Sequence, residues 1–202
     1  MQTLLFEVQP RQGHEEHYFT HAAKLRPILM QHDGLLFIER YRSLSREGVV
    51  LSHSLWRDEA SIARWRTEKH HHQSQAAGRY KHFKDYRIRI SHALVHYDEE
   101  GEQHQWSTAG MYAENASADA RYLTIIRAKA QPNTEYGECF ESVTEANSFI
   151  SIAEVASEEA GQKLSTSAQG DSNTITVIFA RVSRDYGMYE RTEAPQFFAP
   201  VQ

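Results

Sequence analysis

Two side chains on one predicted strand have the chemistry to bind and deprotonate a flat organic molecule. Trp56 ends this strand, and His53 lies three residues before it. An indole ring can stack on an aromatic substrate and donate its N–H to an oxygen. An imidazole titrates near neutral pH and can act as a general base. Because side chains alternate along a strand, we expect Trp56 and His53 on opposite faces. The alternative role of Trp56 is core packing, and that of His53 is a hydrogen-bonded position in the sheet.

The run of three histidines from His70 to His72 does not predict a metal site. Consecutive residues of a helix point about 100° apart, so these three side chains cannot hold one ion on a regular helix. Structural zinc sites draw their ligands from wider spacings and separate elements. We therefore expect a solvated helix turn here and no metal site.

A local basic cluster follows, but it does not predict nucleic-acid binding. Its members are Arg79, Lys81, Lys84, Arg87 and Arg89. The chain has a formal net charge of −5, whereas nucleic-acid-binding domains are usually basic. We expect packing and ion pairs with Glu39 or Asp85 instead, and no nucleic-acid partner.

Composition limits the remaining classes. The chain has 202 residues, of which 40% are hydrophobic and 24% charged, which is typical of a globular protein. No apolar run approaches the roughly 18–20 residues that span a bilayer, so we expect no membrane association. One cysteine, Cys139, cannot form an internal disulfide, and no signal peptide is visible at the N-terminus. Both observations favour the cytoplasm.

The elements that position these residues follow a β-α-β-β-α-β order in the first half. Leu4 to Pro10 alternates as a strand, and apolar residues from His14 to His32 recur at helical spacing. Gly34 is expected to end this helix in the left-handed conformation. Later strands are expected at 35–43, 49–56 and 86–98. Between the last two, a helix is expected to begin at Asp58, to break near Thr67 and to resume to Ala77, with Gly78 as its C-cap. This order predicts an α+β, ferredoxin-like domain over residues 1–98.

The second half repeats part of this pattern. Residues 99–119 are polar and predict a linker. Strands are expected at 122–130, 139–143, 148–155 and 173–182, with a helix opening at Ser157. Residues 131–138 are too few for the long first helix, so residues 120–186 predict a shortened second unit, and 187–202 a C-terminal tail.

The first half resembles the antibiotic biosynthesis monooxygenase (ABM) family. The resemblance covers residues 1 to about 98, while the second half is similar only in strand order. The matching residues are Leu51-Ser52-His53-Ser54-Leu55-Trp56-Arg57-Asp58-Glu59, Trp65-Arg66, His71, Gln75, Gly78, Arg79, Gly34, Glu39-Arg40-Tyr41, Ser43 and Asp85-Tyr86-Arg87-Ile88-Arg89.

The resemblance implies a pocket between sheet and helices, and sheets that pair into an α+β barrel. It also implies an oxidoreductase: a cofactor-independent monooxygenase of a small quinol- or anthrone-like aromatic. Trp56 and His53 are then the expected catalytic residues, and Trp65, His72 and Gln75 the expected substrate contacts. The alternative is a non-catalytic ABM-like protein that binds a small molecule or heme.

We expect no cofactor. Heme is the one cofactor that the resemblance suggests, and the residues do not favour it. The heme-degrading branch of the family uses a first-strand asparagine, a tryptophan on the second helix and an axial histidine. Trp65 matches this tryptophan, but Gln75 stands at the position of the axial histidine. Leu4 to Val8 contains no asparagine. His72 lies nearer to the helix face of Trp65 than His71 does, and could substitute only if the helix register shifted.

The tandem arrangement predicts how the barrel closes. ABM barrels normally need two chains, and a second unit in the same chain would cover apolar faces that a single sheet exposes. We therefore expect an intrachain pseudo-dimer, a homodimer or both.

Overall fold

The computed structural model describes residues 1–106, 120–132 and 136–195. The chain divides into two compact units. The first comprises residues 1–39, 48–90 and 184–202, and the second comprises residues 40–47 and 91–183. Both units are built from β-strands covered by helices.

The strands and helices are numbered in chain order. The strands are β1 (Gln2–Pro10), β2 (Leu35–Ser43), β3 (Val50–Trp56), β4 (Phe83–Tyr97), β5 (Gln103–Gln105), β6 (Tyr122–Ala128), β7 (Glu138–Ser142), β8 (Phe149–Val155) and β9 (Thr174–Gly187). The helices are α1 (Glu15–Met30), α2 (Glu59–Thr67), α3 (Lys69–Ala77) and α4 (Glu158–Gln169), and a π-helical turn spans Gly78–His82.

The first unit has the predicted ferredoxin-like order. Its strands are arranged β4-β1-β3-β2, and β1 pairs antiparallel with β3 so that Leu5 opposes His53 and Gln2 opposes Trp56. One face of the sheet packs on the helices through an apolar cluster. Its buried members are Leu29, Trp56, Ile62, Trp65 and Ile90. The expected α+β class is confirmed.

The helix ends of the first unit follow the sequence predictions at two of three positions. The predicted break after Thr67 is confirmed, because the extended backbone of Glu68 (φ −58°, ψ 132°) separates α2 from α3. Gly78 is the C-cap of α3 as predicted. The left-handed conformation expected at Gly34 is wrong, since its φ is not positive. A Cβ at Gly34 would lie 2.1 Å from Oγ of Ser61, so close packing explains this glycine.

The second unit repeats the strand order of the first. Its strands are arranged β9-β6-β8-β7, with β6 antiparallel to both β8 and β9 and with the predicted β7–β8 hairpin. One helix, α4, packs on it through Ala168 beside Ile126 and Val177. Residues 129–132 and 136–137, the described part of the β6–β7 connection, contain no α-helix.

Each compact unit combines separate segments of the chain. The predicted boundaries at residues 98, 120 and 187 concern repeated units of sequence, so they stay predictions. Residues 107–119 of the predicted linker and 196–202 of the predicted tail lie outside the described residues. The part of the linker that is described includes β5, which pairs with β4. Among the described residues, no helix is long and apolar enough to cross a membrane.

Candidate active site

Four aromatic side chains of the first unit form a contiguous group on the helix-facing side of its sheet. We call His32, Trp56, Trp65 and His71 the ring cluster. The ring centre of His32 lies 5.4 Å from that of Trp56 and 6.3 Å from that of Trp65, with the planes at 80° in both pairs. The ring of His71 stacks on Trp65 at 4.3 Å and 14°. Two indoles and two imidazoles thus share one largely apolar environment.

Trp56 is held at the end of β3 with its side chain 1% exposed. Its Nε1 donates a hydrogen bond to Oγ of Ser54, at 2.9 Å. Ser54 lies two residues earlier on the same face of β3, as strand alternation requires. The indole N–H and the serine hydroxyl are therefore the polar groups that this strand presents within the apolar cluster.

His71 has a defined tautomer. Its Nδ1 lies 2.8 Å from the carbonyl oxygen of Trp65. Because a carbonyl only accepts, Nδ1 carries the proton and Nε2 keeps the lone pair. Nε2 of the Gln75 amide lies 3.3 Å from the same His71 nitrogen. Burial, more than any other effect, lowers the pKa of His71 to about 4, so this imidazole is neutral at physiological pH.

His32 is the basic group that sequence reasoning missed. It follows α1 and packs edge-to-face with Trp56. Burial, and then the charges of Arg64 and Arg57, lower the pKa of His32, while Asp33 opposes them. Its Nδ1 is buried and has no hydrogen-bond partner within the described residues. A lowered pKa keeps the imidazole neutral near pH 7, and a neutral imidazole can accept a proton from a bound molecule.

His53 lies on the opposite face of β3 from Trp56, as the alternation predicts. It is fully buried, its Nε2 lies 3.0 Å from Oγ1 of Thr3, and its ring centre lies 5.6 Å from that of Phe37. The first unit therefore does not bring His53 together with Trp56. The catalytic roles expected for these two residues stay predictions.

Comparison with known proteins identifies the family. A family model described as antibiotic biosynthesis monooxygenase matches residues 1–77. A protein of Pyricularia oryzae named jasmonate monooxygenase ABM is 30% identical over an alignment of 222 positions, gaps included, which covers 100% of both chains. The chain belongs to the antibiotic biosynthesis monooxygenase family. Monooxygenase chemistry is therefore the activity of its family.

Solved structures of ABM proteins are similar at low identity. A crystal structure of an antibiotic biosynthesis monooxygenase is 12% identical and covers 46% of this chain and 99% of its own, with a TM-score of 0.42. A structure of an anthrone oxidase-like protein is 9% identical and covers 100% of this chain and 96% of its own, with a TM-score of 0.40.

The ABM family also contains heme-degrading members, but the residues of the ring cluster do not fit a heme iron. An axial ligand needs an imidazole that faces an open space. The ring of His71 lies flat against Trp65, at 4.3 Å and 14°. Gln75, at the expected axial position, contacts His71, and His72 is exposed to solvent. We derive no step through heme, and the substrate contacts expected at Trp65, His72 and Gln75 stay predictions.

The other sequence features have structural roles. His70 pairs with Glu68, His71 turns inward and His72 turns to solvent, so the three histidines diverge as predicted. Burial raises the pKa of the Cys139 thiol to about 11, which makes it a poor nucleophile.

The arginines of the basic cluster form ion pairs and hydrogen bonds with neighbouring side chains. Arg89 pairs with Glu7 in the interior, and Arg87 pairs with Asp185 at 2.7 Å. Nη1 of Arg79 donates to the hydroxyl of Tyr86 at 2.7 Å. Ion pairing is confirmed for Arg87 and Arg89, with Asp185 and Glu7 as acidic partners.

Proposed function

We propose that the protein is a cofactor-independent monooxygenase of a small aromatic substrate, and that the ring cluster is its active site. The observation that carries the proposal is His32, a neutral imidazole packed against Trp56 and Trp65 with a buried Nδ1. In this proposal His32, rather than His53, is the general base. Trp56 contacts the flat face of the substrate.

The reaction needs a substrate that supplies both electrons. His32 removes a proton from the CH₂ group of an anthrone-like molecule and leaves a carbanion. The carbanion passes one electron to O₂, and the resulting radical and superoxide combine into a C–O bond. The peroxide O–O bond then breaks with loss of the second C–H proton, which gives a ketone and water. The CH₂ group and one O₂ thus become C=O and H₂O, and the balance is complete without a reductant.

The surroundings of His32 suit the first step. Apolar neighbours disfavour a charged imidazolium before the substrate binds. Once the substrate is a carbanion, the same low-dielectric surroundings strengthen the attraction between the carbanion and the imidazolium. The N–H of Trp56 and the hydroxyl of Ser54 lie in the same cluster. The hydroxyl of Ser54, which accepts from this N–H, can donate its own proton to the oxygen on which the carbanion charge is delocalised.

The substrate class is a quinol- or anthrone-like molecule whose reacting proton is acidic. The name of the Pyricularia oryzae relative adds jasmonate to the molecules that should be tried. Jasmonate has acidic protons beside a ring ketone, so the same first step applies to it. Hydroxylation of jasmonate, however, would require an external two-electron donor in the assay.

Oxygen uptake by the full chain tests the proposal. Dithranol, a reduced naphthoquinone and jasmonate with and without NADPH are suitable substrates. We expect uptake above the buffer rate with at least one of them. His32→Gln should lower kcat by about 10²–10⁴-fold, the range for loss of a general base. His70→Gln, an exposed change on α3, should leave kcat unchanged.

Two results would contradict this assignment. If saturable binding occurs without oxygen uptake on the whole panel, the protein is a binding module of the ABM family. If His53→Gln abolishes uptake in a folded protein while His32→Gln retains it, the base lies on the other face of β3. For His32 as the base, the acid limb of kcat/KM should lie below the ordinary histidine pKa of 6.5.

A further inference from the structure

Four histidines of the first unit meet at the start of α1, at the end of the helix remote from His32. His14, His17 and His21 are spaced three and four residues apart, so they share one helix face. His82 ends the π-helical turn and lies among them. The ring centre of His82 is 5.1 Å from that of His14, 5.0 Å from that of His17 and 5.9 Å from that of His21. We call these residues the histidine cluster.

The backbone fixes the two segments that carry the cluster. The amide of Arg11 donates to the carbonyl of His82 at 2.8 Å, and the amide of His14 donates to the carbonyl of Arg11 at 2.9 Å. The π-helical turn also packs tightly, because a Cβ at Gly78 would lie 2.3 Å from the ring of Phe83. His14 and His82 are therefore brought together by main-chain contacts that do not depend on their rings.

The spacing of the rings matches that of imidazoles on one tetrahedral ion. Zinc–nitrogen bonds are about 2.0–2.1 Å, which places two ligand nitrogens roughly 3.3 Å apart and their ring centres about 5 Å apart. Nδ1 of His14 and Nδ1 of His82 lie 2.9 Å apart. The centres of His14, His17 and His82 lie 5.0–5.5 Å from one another. A nitrogen of His17 would have to turn toward the Nδ1 atoms of His14 and His82 to complete the site, since the ligand atoms of the three rings do not all lie within 4.8 Å of one another.

We propose that His14, His17 and His82 bind one divalent transition-metal ion of the zinc class. His21 lies within reach as a fourth ligand, and water can fill the position otherwise. Imidazole ligands favour zinc, copper and nickel over magnesium or calcium. The ion would fasten the start of α1 to the turn that leads into β4. Because α1 is about 24 Å long, this site is separate from the ring cluster and independent of the proposed reaction.

Protonation should compete with the ion. Burial first, and then the neighbouring charges of His17, His14, His21 and Lys81, lower the pKa of His82. The hydrogen bond between the two Nδ1 atoms also requires one of them to be unprotonated. Imidazoles must lose their protons to bind a metal. Affinity should therefore rise as the pH increases from 5 to 7.5 and level off above it.

Cobalt(II) titration of the full chain, purified without a histidine tag and stripped with EDTA, tests the site. We expect one equivalent of Co²⁺ to bind with the visible absorption of a tetrahedral complex, and Zn²⁺ to displace it. His17→Gln and His82→Gln should each weaken binding by at least about tenfold, since each removes a ligand. His17 is exposed, so its variant should fold normally.

Two controls give the outcomes that overturn the proposal. The double variant His70→Gln/His72→Gln changes exposed histidines of α3 and should bind Co²⁺ as the unmodified chain does. His104→Gln changes a hydrogen-bonded group with Asp98 and should also have no effect. If either control weakens binding while His17→Gln does not, the ion binds elsewhere. If no saturable binding is seen, or all variants bind alike as with an adventitious ion only, the site does not exist.

Discussion

The helix layers of the two units differ although the strands beneath them have the same order. In each unit a helix follows the third strand and starts from a side-chain cap, Asp58 for α2 and Ser157 for α4. Four and seven residues after the cap, α2 has Ile62 and Trp65, whereas α4 has Gly161 and Leu164. The equivalent positions of the two helices thus carry side chains of very different size.

This difference decides how closely each helix lies on its sheet. A Cβ at Gly161 would lie 2.0 Å from Cε2 of Phe179 on β9. Small residues at Ser165 and Ala168 continue the same close contact, and both are buried. In the first unit His32 packs against both Trp56 and Trp65, and His71 stacks on Trp65. The proposed proton transfer would therefore use the first unit, whereas the helix of the second unit lies closer to its sheet.

The largest expected effect comes from removing the indole of Trp65, which occupies the position on α2 that Leu164 occupies on α4. Trp65→Ala should lower the free energy of unfolding by about 3–5 kcal/mol, the usual cost of a buried aromatic ring. Trp65 is 8% exposed and contacts both His32 and His71. Urea denaturation followed by circular dichroism measures the loss.

Leu164→Ala is the matched change in the second unit. Leu164 is only partly buried, so we expect a loss of about 1–2 kcal/mol. Equal losses for the two variants would contradict the contrast between the helix layers.

The second effect concerns the partly buried imidazole of His71. Its folded-state pKa is about 4, whereas the ordinary value is 6.5. Below pH 6.5 the unfolded chain gains a proton that the folded chain does not, so stability present above that pH is lost as the pH falls toward 4. At about 1.4 kcal/mol per pKa unit, the difference between pH 7 and pH 5 should be roughly 2 kcal/mol.

His71→Gln should remove this part of the pH dependence. His70→Gln changes a neighbouring but exposed histidine and should leave it intact. Denaturant titrations of the three proteins at both pH values give the comparison. An unchanged pH dependence in His71→Gln would show that other histidines produce it.

The sequence predicted local structure well because the signals are local. Strand alternation placed Trp56 and His53 on opposite faces, and the hairpin from Cys139 to Val155 follows from two apolar runs around a polar turn. The break after Thr67 also depends on a few neighbouring residues. These features come from patterns that span less than about 20 residues.

Contacts between distant residues could not be predicted in the same way. His32 gains its role from Trp56 and Trp65, which the fold brings to it from another strand and helix. The glycine at position 34 is explained by Ser61 rather than by its own backbone conformation. The spacing of His14, His17 and His21 is visible in the sequence, but nothing local indicates that a π-helical turn brings His82 to them.

A smaller effect tests the close packing of the second unit. Gly161→Ala improves helix propensity by about 1 kcal/mol, but its Cβ would overlap the buried ring of Phe179. Overpacking costs about 1–3 kcal/mol, so we expect a net loss. Gly170→Ala is the control, because its nearest neighbour, the carbonyl oxygen of Ser167, is 3.4 Å away. A stabilising Gly161→Ala would mean that α4 can move away from the sheet and that the second unit has room for a ligand.

The helix caps should give the smallest effects, and they test whether the two units differ at the start of the helix as well. Oγ of Ser157 accepts one hydrogen bond, from the amide of Ala160 at 3.2 Å. Ser157→Ala should therefore cost about 1 kcal/mol, the usual value for an N-cap.

Asp58 does more than cap α2. One of its oxygens accepts from both the amide and the hydroxyl of Ser61 at 2.7 Å, and these bonds lower the pKa of Asp58 to about 2. Ser61 in turn packs against Gly34, between α1 and β2. Asp58→Ala should then destabilise the protein more than Ser157→Ala, and Asp58→Asn should recover most of the loss because its side-chain oxygen can still accept. If the two alanine variants lose the same stability, the contact of Ser61 with Gly34 does not depend on the cap. The first unit would then differ from the second only in its aromatic interior.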